Sequence, residues 1–142
     1  MAGPLNIDEV EAIARDRLLE PVFDYYAGGA DDEVTVRRNR EAFARIVFLY
    51  RVLVDVSERD LTVDLLGTRL SFPVILAPTA LHRMAHPDGE AATARAAAAA
   101  GTLMTLSTIS SMTLEDVAAA APDAPRWFQL YHFSDRSKTE EL

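Results

Sequence analysis

Three apolar runs in this chain end in groups able to hydrogen-bond a ligand. PVILA (73–77) leads into Pro78, Thr79 and Ala80, TLMTL (102–106) leads into Ser107 and Thr108, and RWFQLY (126–131) carries Gln129 and Tyr131. Together they offer hydroxyls, a carboxamide, a phenol and exposed backbone. Such a set suits a flat heterocycle, because backbone amides and a carboxamide match carbonyl and N–H edges while the small Ala80 lets a ring approach. The strand ends hold no carboxylate pair, no Ser-His-Asp set and no metal cluster. Competing roles are ordinary ones. Ser and Thr at such positions also cap helices and form turns, and a tyrosine is often half-buried packing. Gln129 is harder to place that way, since an unpaired amide in an apolar strand is costly. His82 and His86 lie four apart, but Pro87 argues against a continuous helix there, and both read as loop residues.

The elements that must position these groups can be read from spacing. Asn6 with Glu9 three residues on makes a capping box, followed by Val10, Ile13, Ala14, Arg17 and Leu18 at helical intervals. Pro21 suits the first turn of a short helix PVFDYYA, ended by Gly28 and Gly29, and taken alone Tyr25-Tyr26 reads as packing. A third helix is expected over 32–43, with Arg37, Arg38 and Arg40 on a solvated face. From Ile46 the chain turns β-rich in IVFLY and RVLVDV, and LTVDLLG and TRLSF flank Gly67-Thr68 as a hairpin. PVILA is short, apolar and unalternating, which predicts a parallel strand covered on both faces.

Pro87 fits the start of another helix, with Asp88 and Glu90 where the helix dipole favours negative charge. ATARAAAAA continues it and Gly101 ends it. Thr113 and Asp116 have capping spacing before LEDVAAAA, and Ser134 and Asp135 offer a cap for SKTEEL. From residue 73 the order is strand, helix, strand, helix, strand, helix start, the grammar of a parallel α/β fold, open or closed. Two features favour a barrel: alanine-rich helices that pack close over a curved sheet, and the absence of a G-x-G-x-x-G turn after the first strand. A complete eight-stranded barrel runs about 250 residues. The expectation is therefore a partial (β/α)8 TIM barrel of three strand-helix units at 73–142, preceded by a helical segment at 1–45 and a β-hairpin region at 46–72. The chain reads as the N-terminal part of something longer.

Composition bounds the rest. The 142 residues are 49% hydrophobic and 25% charged, with a formal net charge of −8 and no cysteine. That profile is globular. It disfavours a non-specific nucleic-acid binder or an anionic-membrane binder, and it leaves no disulfide, thiol nucleophile or thiolate metal site. No run approaches the ~18 apolar residues of a membrane span, and no signal peptide is visible at the N-terminus. A cytoplasmic protein without membrane insertion is the expectation.

Taken together, FDYYAGGADDEVT, NREAF, LAPTA with MAHPDGE, ATARAAAAAGT, MTLST and FQLY resemble the FMN-dependent α-hydroxy acid oxidases and dehydrogenases, the group of glycolate oxidase, lactate oxidase and mandelate dehydrogenase. The motifs run in family order from about Asn6 to Asp135. The resemblance implies an FMN-binding barrel that oxidises a small 2-hydroxy acid to a 2-keto acid, commonly as a homotetramer. It implies cofactor contacts at Pro78, Thr79, Ala80, Ser107 and Gln129, and substrate contacts at Tyr25 and Tyr131. It implies that AHPDGE packs near the site without doing chemistry, and that Ile109 holds a variable position in the substrate pocket. The family's histidine base, carboxylate-binding arginines, flavin-side lysine and phosphate-binding glycines would all lie downstream, so no catalytic residue is assigned in this chain.

A second possibility is a non-catalytic half barrel that pairs with itself or with another chain, satisfying its open sheet edge by association. Under the enzyme reading, Tyr25→Phe in a protein of full family length raises the KM for the hydroxy acid more than it weakens flavin binding. Steady-state kinetics beside a flavin titration check this, and equal kinetics for both proteins would remove Tyr25 from the site.

Overall fold

A computed structural model describes residues 3–141. The chain divides into two compact units, Met1–Ser57 and Glu58–Leu142.

The first unit contains three helices, α1 (Ile7–Arg17), α2 (Glu20–Ala27) and α3 (Val34–Ala44). Asn6 caps the helix, its side chain accepting from the Glu9 amide at 2.9 Å, while the Glu9 carboxylate reaches one residue past the cap to accept from the Leu5 amide at 2.8 Å. Pro21 occupies the first turn of α2, where its missing N–H costs no helical bond. Phe23 is the buried apolar residue of α2, and the Arg15 guanidinium lies 4.1 Å from its ring centroid. Arg37, Arg38 and Arg40 lie on the expected solvated face, and the Arg40 side chain is 64% exposed. It pairs with Glu11 and lies 3.8 Å from Asp8, so it ties α3 to α1.

The second unit begins with a hairpin of β1 (Val63–Leu65) and β2 (Thr68–Leu70), antiparallel with Val63 opposite Leu70. Leu66 and Gly67 between them have φ of 47° and 79°. Two successive positive φ values match the turn type that follows the natural twist of a hairpin. The hairpin is shorter than the β-rich region 46–72 suggests, for residues 46–62 contain no strand. Ile46, Val47, Phe48, Leu49 and Tyr50 have the composition of a strand but no ladder partner among the described residues, and Phe48 is 88% exposed. β-propensity expresses fit to a neighbouring strand, and here that neighbour is missing.

The parallel layer follows. Leu76 bridges Met104 in parallel, its amide donating to Leu103 O at 3.0 Å and its carbonyl accepting from Thr105 N at 2.9 Å. β3 (Met104–Leu106) pairs in parallel with β4 (Arg126–Phe128), Met104 opposite Arg126. The spatial order is thus the 73–77 run, then β3, then β4. Helices α4 (Gly89–Ala100) and α5 (Leu114–Ala120) form the crossovers, and α6 (Arg136–Glu140) follows β4. Thr113 caps α5 through Asp116 N, and Asp135 caps α6 through Ser137 N.

The core is where the alanine-rich helix meets this layer. Ala94, Ala97, Met104, Leu106, Val117 and Ala121 form one buried cluster. Small side chains on α4 bring its axis close to β3, and bulk comes from the strand and from Val117. The 73–77 run does not meet the expectation of cover on both faces. Val74 is 55% exposed and Leu76 36% exposed, because this run has a single strand neighbour and packs on one side. The sheet is open, and among the described residues no helix is long and apolar enough to cross a membrane.

Gly101 ends α4 in the left-handed region at φ 71°, with its carbonyl accepting from the Ser71 amide at 2.8 Å. A Cβ there would stand 2.2 Å from Ser71 Oγ. Gly101→Ala is expected to cost about 1–2 kcal/mol from backbone conformation alone, with more from the Ser71 overlap. Urea unfolding should show a lower midpoint at unchanged slope, and an unchanged midpoint would argue against this turn as the anchor.

Candidate functional site

Parallel pairing in sequence order places three strand ends side by side. In α/β folds, ligands bind beyond the C-terminal ends of such strands. Beyond Leu76 come Pro78 and Thr79, both exposed, and the half-buried Ala80. Beyond β3 come Ser107, 3% exposed, and Thr108. Beyond β4 come Gln129, half-buried, and Tyr131, 45% exposed.

Hydrogen bonds hold the second and third ends together. Ser107 Oγ donates to Gln129 Oε1 at 3.2 Å and accepts from the Ile109 amide at 3.1 Å. The Gln129 amide donates to Leu106 O at 2.8 Å, which continues the β3–β4 ladder by one bond. The Thr108 hydroxyl donates to the Gln129 carbonyl and accepts from the Tyr131 amide at 3.1 Å. Thr108 is thus a backbone strut between the two ends, and the Gln129 side chain is satisfied at its oxygen. The bond to Ser107 uses Oε1, so Nε2 is the group that can meet an incoming acceptor.

The first end is tied to the second by a different set. The Leu81 amide donates to Ile109 O at 3.0 Å, and the Arg83 amide to Ser111 Oγ at 3.0 Å. At the centre is Glu90, which is fully buried. Its Oε1 accepts from the Ser111 amide at 2.7 Å and from the His82 amide at 3.3 Å, and its Oε2 accepts from the Ser111 hydroxyl at 2.6 Å. Burial works against its charged form. Hydrogen bonds from the Ser111 hydroxyl and amide, from its own amide and from His82 outweigh that, so the carboxyl titrates below the ordinary glutamate range.

Sequence spacing places Glu90 where the helix dipole favours negative charge, and the structure keeps it in the first turn of α4; what it adds is a buried, fully bonded carboxylate. Nothing in local sequence marks that burial, because a glutamate is buried only when its partners arrive. Here they come from Ser111, 21 residues away.

Tyr25 belongs to the first unit, where it is 51% exposed and meets Tyr26 edge-on with ring centroids 5.2 Å apart. His82 Nδ1 lies 3.1 Å from Thr93 Oγ1, a packing contact on the α4 side. Among the described residues no cluster of three metal-ligating side chains exists.

Fold and strand order thus define part of a (β/α)8 barrel with polar groups gathered at one set of strand ends. Residues 14–142 match the model of the FMN-dependent dehydrogenase family, and the chain belongs to that family. It is 53% identical over 137 residues to glycolate oxidase 1 of Zea mays, covering 96% of this chain and 37% of that protein. Against glycolate oxidase of Spinacia oleracea the identity is 50% over 137 residues, with the same coverage of 96% and 37%. Among solved structures, a mandelate oxidase superposes with a TM-score of 0.90 at 37% identity, over 99% of this chain and 40% of that one. A mutant of an active chimera of (S)-mandelate dehydrogenase gives 0.82 at 44% identity, over 89% of this chain and 35% of that one. The chain therefore spans 37% of the length of these curated relatives.

The donor set suits the family's cofactor. A backbone stretch ending in small Ala80, a buried serine hydroxyl and a carboxamide can face the ring and its carbonyl and N–H edge.

Thr108→Val keeps the shape and removes the strut. The expected loss is about 1 kcal/mol, with faster amide exchange at Tyr131 by NMR. Unchanged exchange there would mean that the hydroxyl does not hold the third strand end.

Proposed function

We propose that this chain supplies the first strand ends of the FMN pocket in an enzyme that oxidises a small 2-hydroxy acid to the 2-keto acid. The observation that carries the reading is the pairing of Ser107 with Gln129 on adjacent parallel strand ends, beside the Ala80 loop. Relatives named as glycolate oxidases and structural neighbours named for mandelate support the substrate class. When bound, FMN supplies the two-electron acceptor for the substrate's α-carbon.

The chain's own residues then have separate tasks. Backbone at Pro78, Thr79 and Ala80 would hold the ring. Ser107 Oγ and Gln129 Nε2 serve the ring edge, with the carboxamide oriented by its bond to Ser107. The Tyr131 phenol, half exposed at the third strand end, would contact the substrate's carboxylate and hydroxyl, and the substrate role of Tyr25 rests on the family resemblance alone. Ile109, 47% exposed, limits the side chain that the substrate can carry. Proton abstraction from the substrate requires a base within hydrogen-bond reach, and that role is not assigned to this chain. A tetrameric, cytoplasmic enzyme is the assembly we propose for the full-length protein.

The test is a chimera that joins this chain to the downstream portion of the maize glycolate oxidase. The expected product is a yellow protein with a flavin absorption spectrum and turnover of glycolate, lactate or mandelate. A folded chimera that stays colourless in excess FMN would end this reading.

A further inference from the structure

Glu90 stands in the first turn of α4, where the helix dipole favours a carboxylate, but the dipole does not account for its long-range partners. It is fully buried at the start of α4, yet its carboxylate is spent on two loops. One is the stretch after the first strand end, through the His82 amide. The other is the stretch after the second, through the Ser111 amide and hydroxyl. Ser111 Oγ in turn accepts from the Arg83 amide, which closes the ring back to the first loop. Gly89 shows how close the packing is: with φ at 51°, a Cβ there would lie 2.8 Å from Arg83 Cγ and 3.3 Å from Met112 Sδ. Helix start and both loops therefore meet at one point.

The consequences reach the proposed pocket within a few bonds. Leu81, next to Ala80, donates to Ile109 O, and the Ile109 amide donates to Ser107 Oγ. A shift of the first loop relative to the second would move Ala80 against Ser107 and would rotate Ile109, which is held at both its amide and its carbonyl. Thr108 fixes the second strand end to the third, and the loops beyond the first and second ends are joined by the Leu81 bond, the Arg83–Ser111 bond and this carboxylate.

We infer that Glu90 is a positioning residue: the reach of its carboxylate to His82 and Ser111 sets the spacing between the Ala80 and Ser107 strand ends, and through it the fit of the flavin and the setting of Ile109. This rests on the flavin reading of the site and adds to it how the site is held.

Reach, rather than charge, is the property that matters. Glu90→Gln keeps an oxygen for the His82 and Ser111 amides, and its NH2 group can donate to Ser111 Oγ, which still accepts from Arg83. Glu90→Asp keeps the charge near the helix start but is one methylene short of those amides. A helix-dipole role predicts that Asp substitutes better than Gln; positioning predicts the reverse.

The experiment compares wild type, Glu90→Asp, Glu90→Gln and Ser111→Ala in the chimera described above, reading the FMN dissociation constant, the KM and kcat, and amide exchange at Leu81, Arg83 and Ser111. Loss of a buried bonded pair predicts that Asp weakens FMN binding about tenfold, raises KM and speeds exchange at Arg83 and Ser111, while Gln stays within about threefold of wild type. Ser111→Ala, which removes only the hydroxyl, should speed exchange at Arg83 and fall between them. Asp holding FMN as wild type does, or Gln faring no better than Asp, overturns the inference. If instead the wild-type chimera binds no FMN, the flavin reading fails, and the exchange comparison still decides whether Glu90 spaces the two loops.

Discussion

The candidate site depends on a short parallel ladder. Leu76 is bonded to Leu103 and Thr105, and Gln129 to Leu106, so three chain segments are forced to finish on one edge of the sheet. Each strand is brief, and the ladder alone would not hold it. Burial of Met104 and Leu106 against Ala94, Ala97 and Val117 gives the middle strand its place, because close alanine packing lets α4 lie flat on the sheet. The polar groups at the tips are then neighbours by construction.

A sheet edge that carries polar groups must also satisfy them. Ser107 and Thr108 bond Gln129 and Glu90 bonds Ser111, each across chain segments, and among the described residues no buried side-chain nitrogen or oxygen lacks a partner. The same bonds that remove the burial cost fix the geometry. A ligand that enters meets groups already oriented, which lowers the ordering cost of binding. The loops beyond the strands can stay polar and partly exposed without being slack.

The helical unit follows a different logic. Asn6 caps α1 locally, and Arg40 pairs with Glu11 across α3 and α1. The exposed apolar run after α3 shows the limit of local signals. Ile46 to Tyr50 has strand composition, but a strand needs a partner and none is present among the described residues.

Caps, turns and element order were legible in the sequence because they are set by nearest neighbours. Asn6 with Glu9, Pro21, Gly67, Gly101, Thr113 and Asp135 all act within four residues of where they stand. The candidate residues Ala80, Ser107, Gln129 and Tyr131 were legible as strand-end groups, since a parallel α/β pattern directs attention to those ends. What only the tertiary structure decided are the relations across chain segments: the Ser107–Gln129 bond, the Thr108 strut, the Arg40–Glu11 pair on the surface, and the burial of Glu90 against Ser111 and His82. A side chain's partner 21 or 29 residues away has no trace in local propensity, and neither does the burial of Glu90, which its distant partner Ser111 allows.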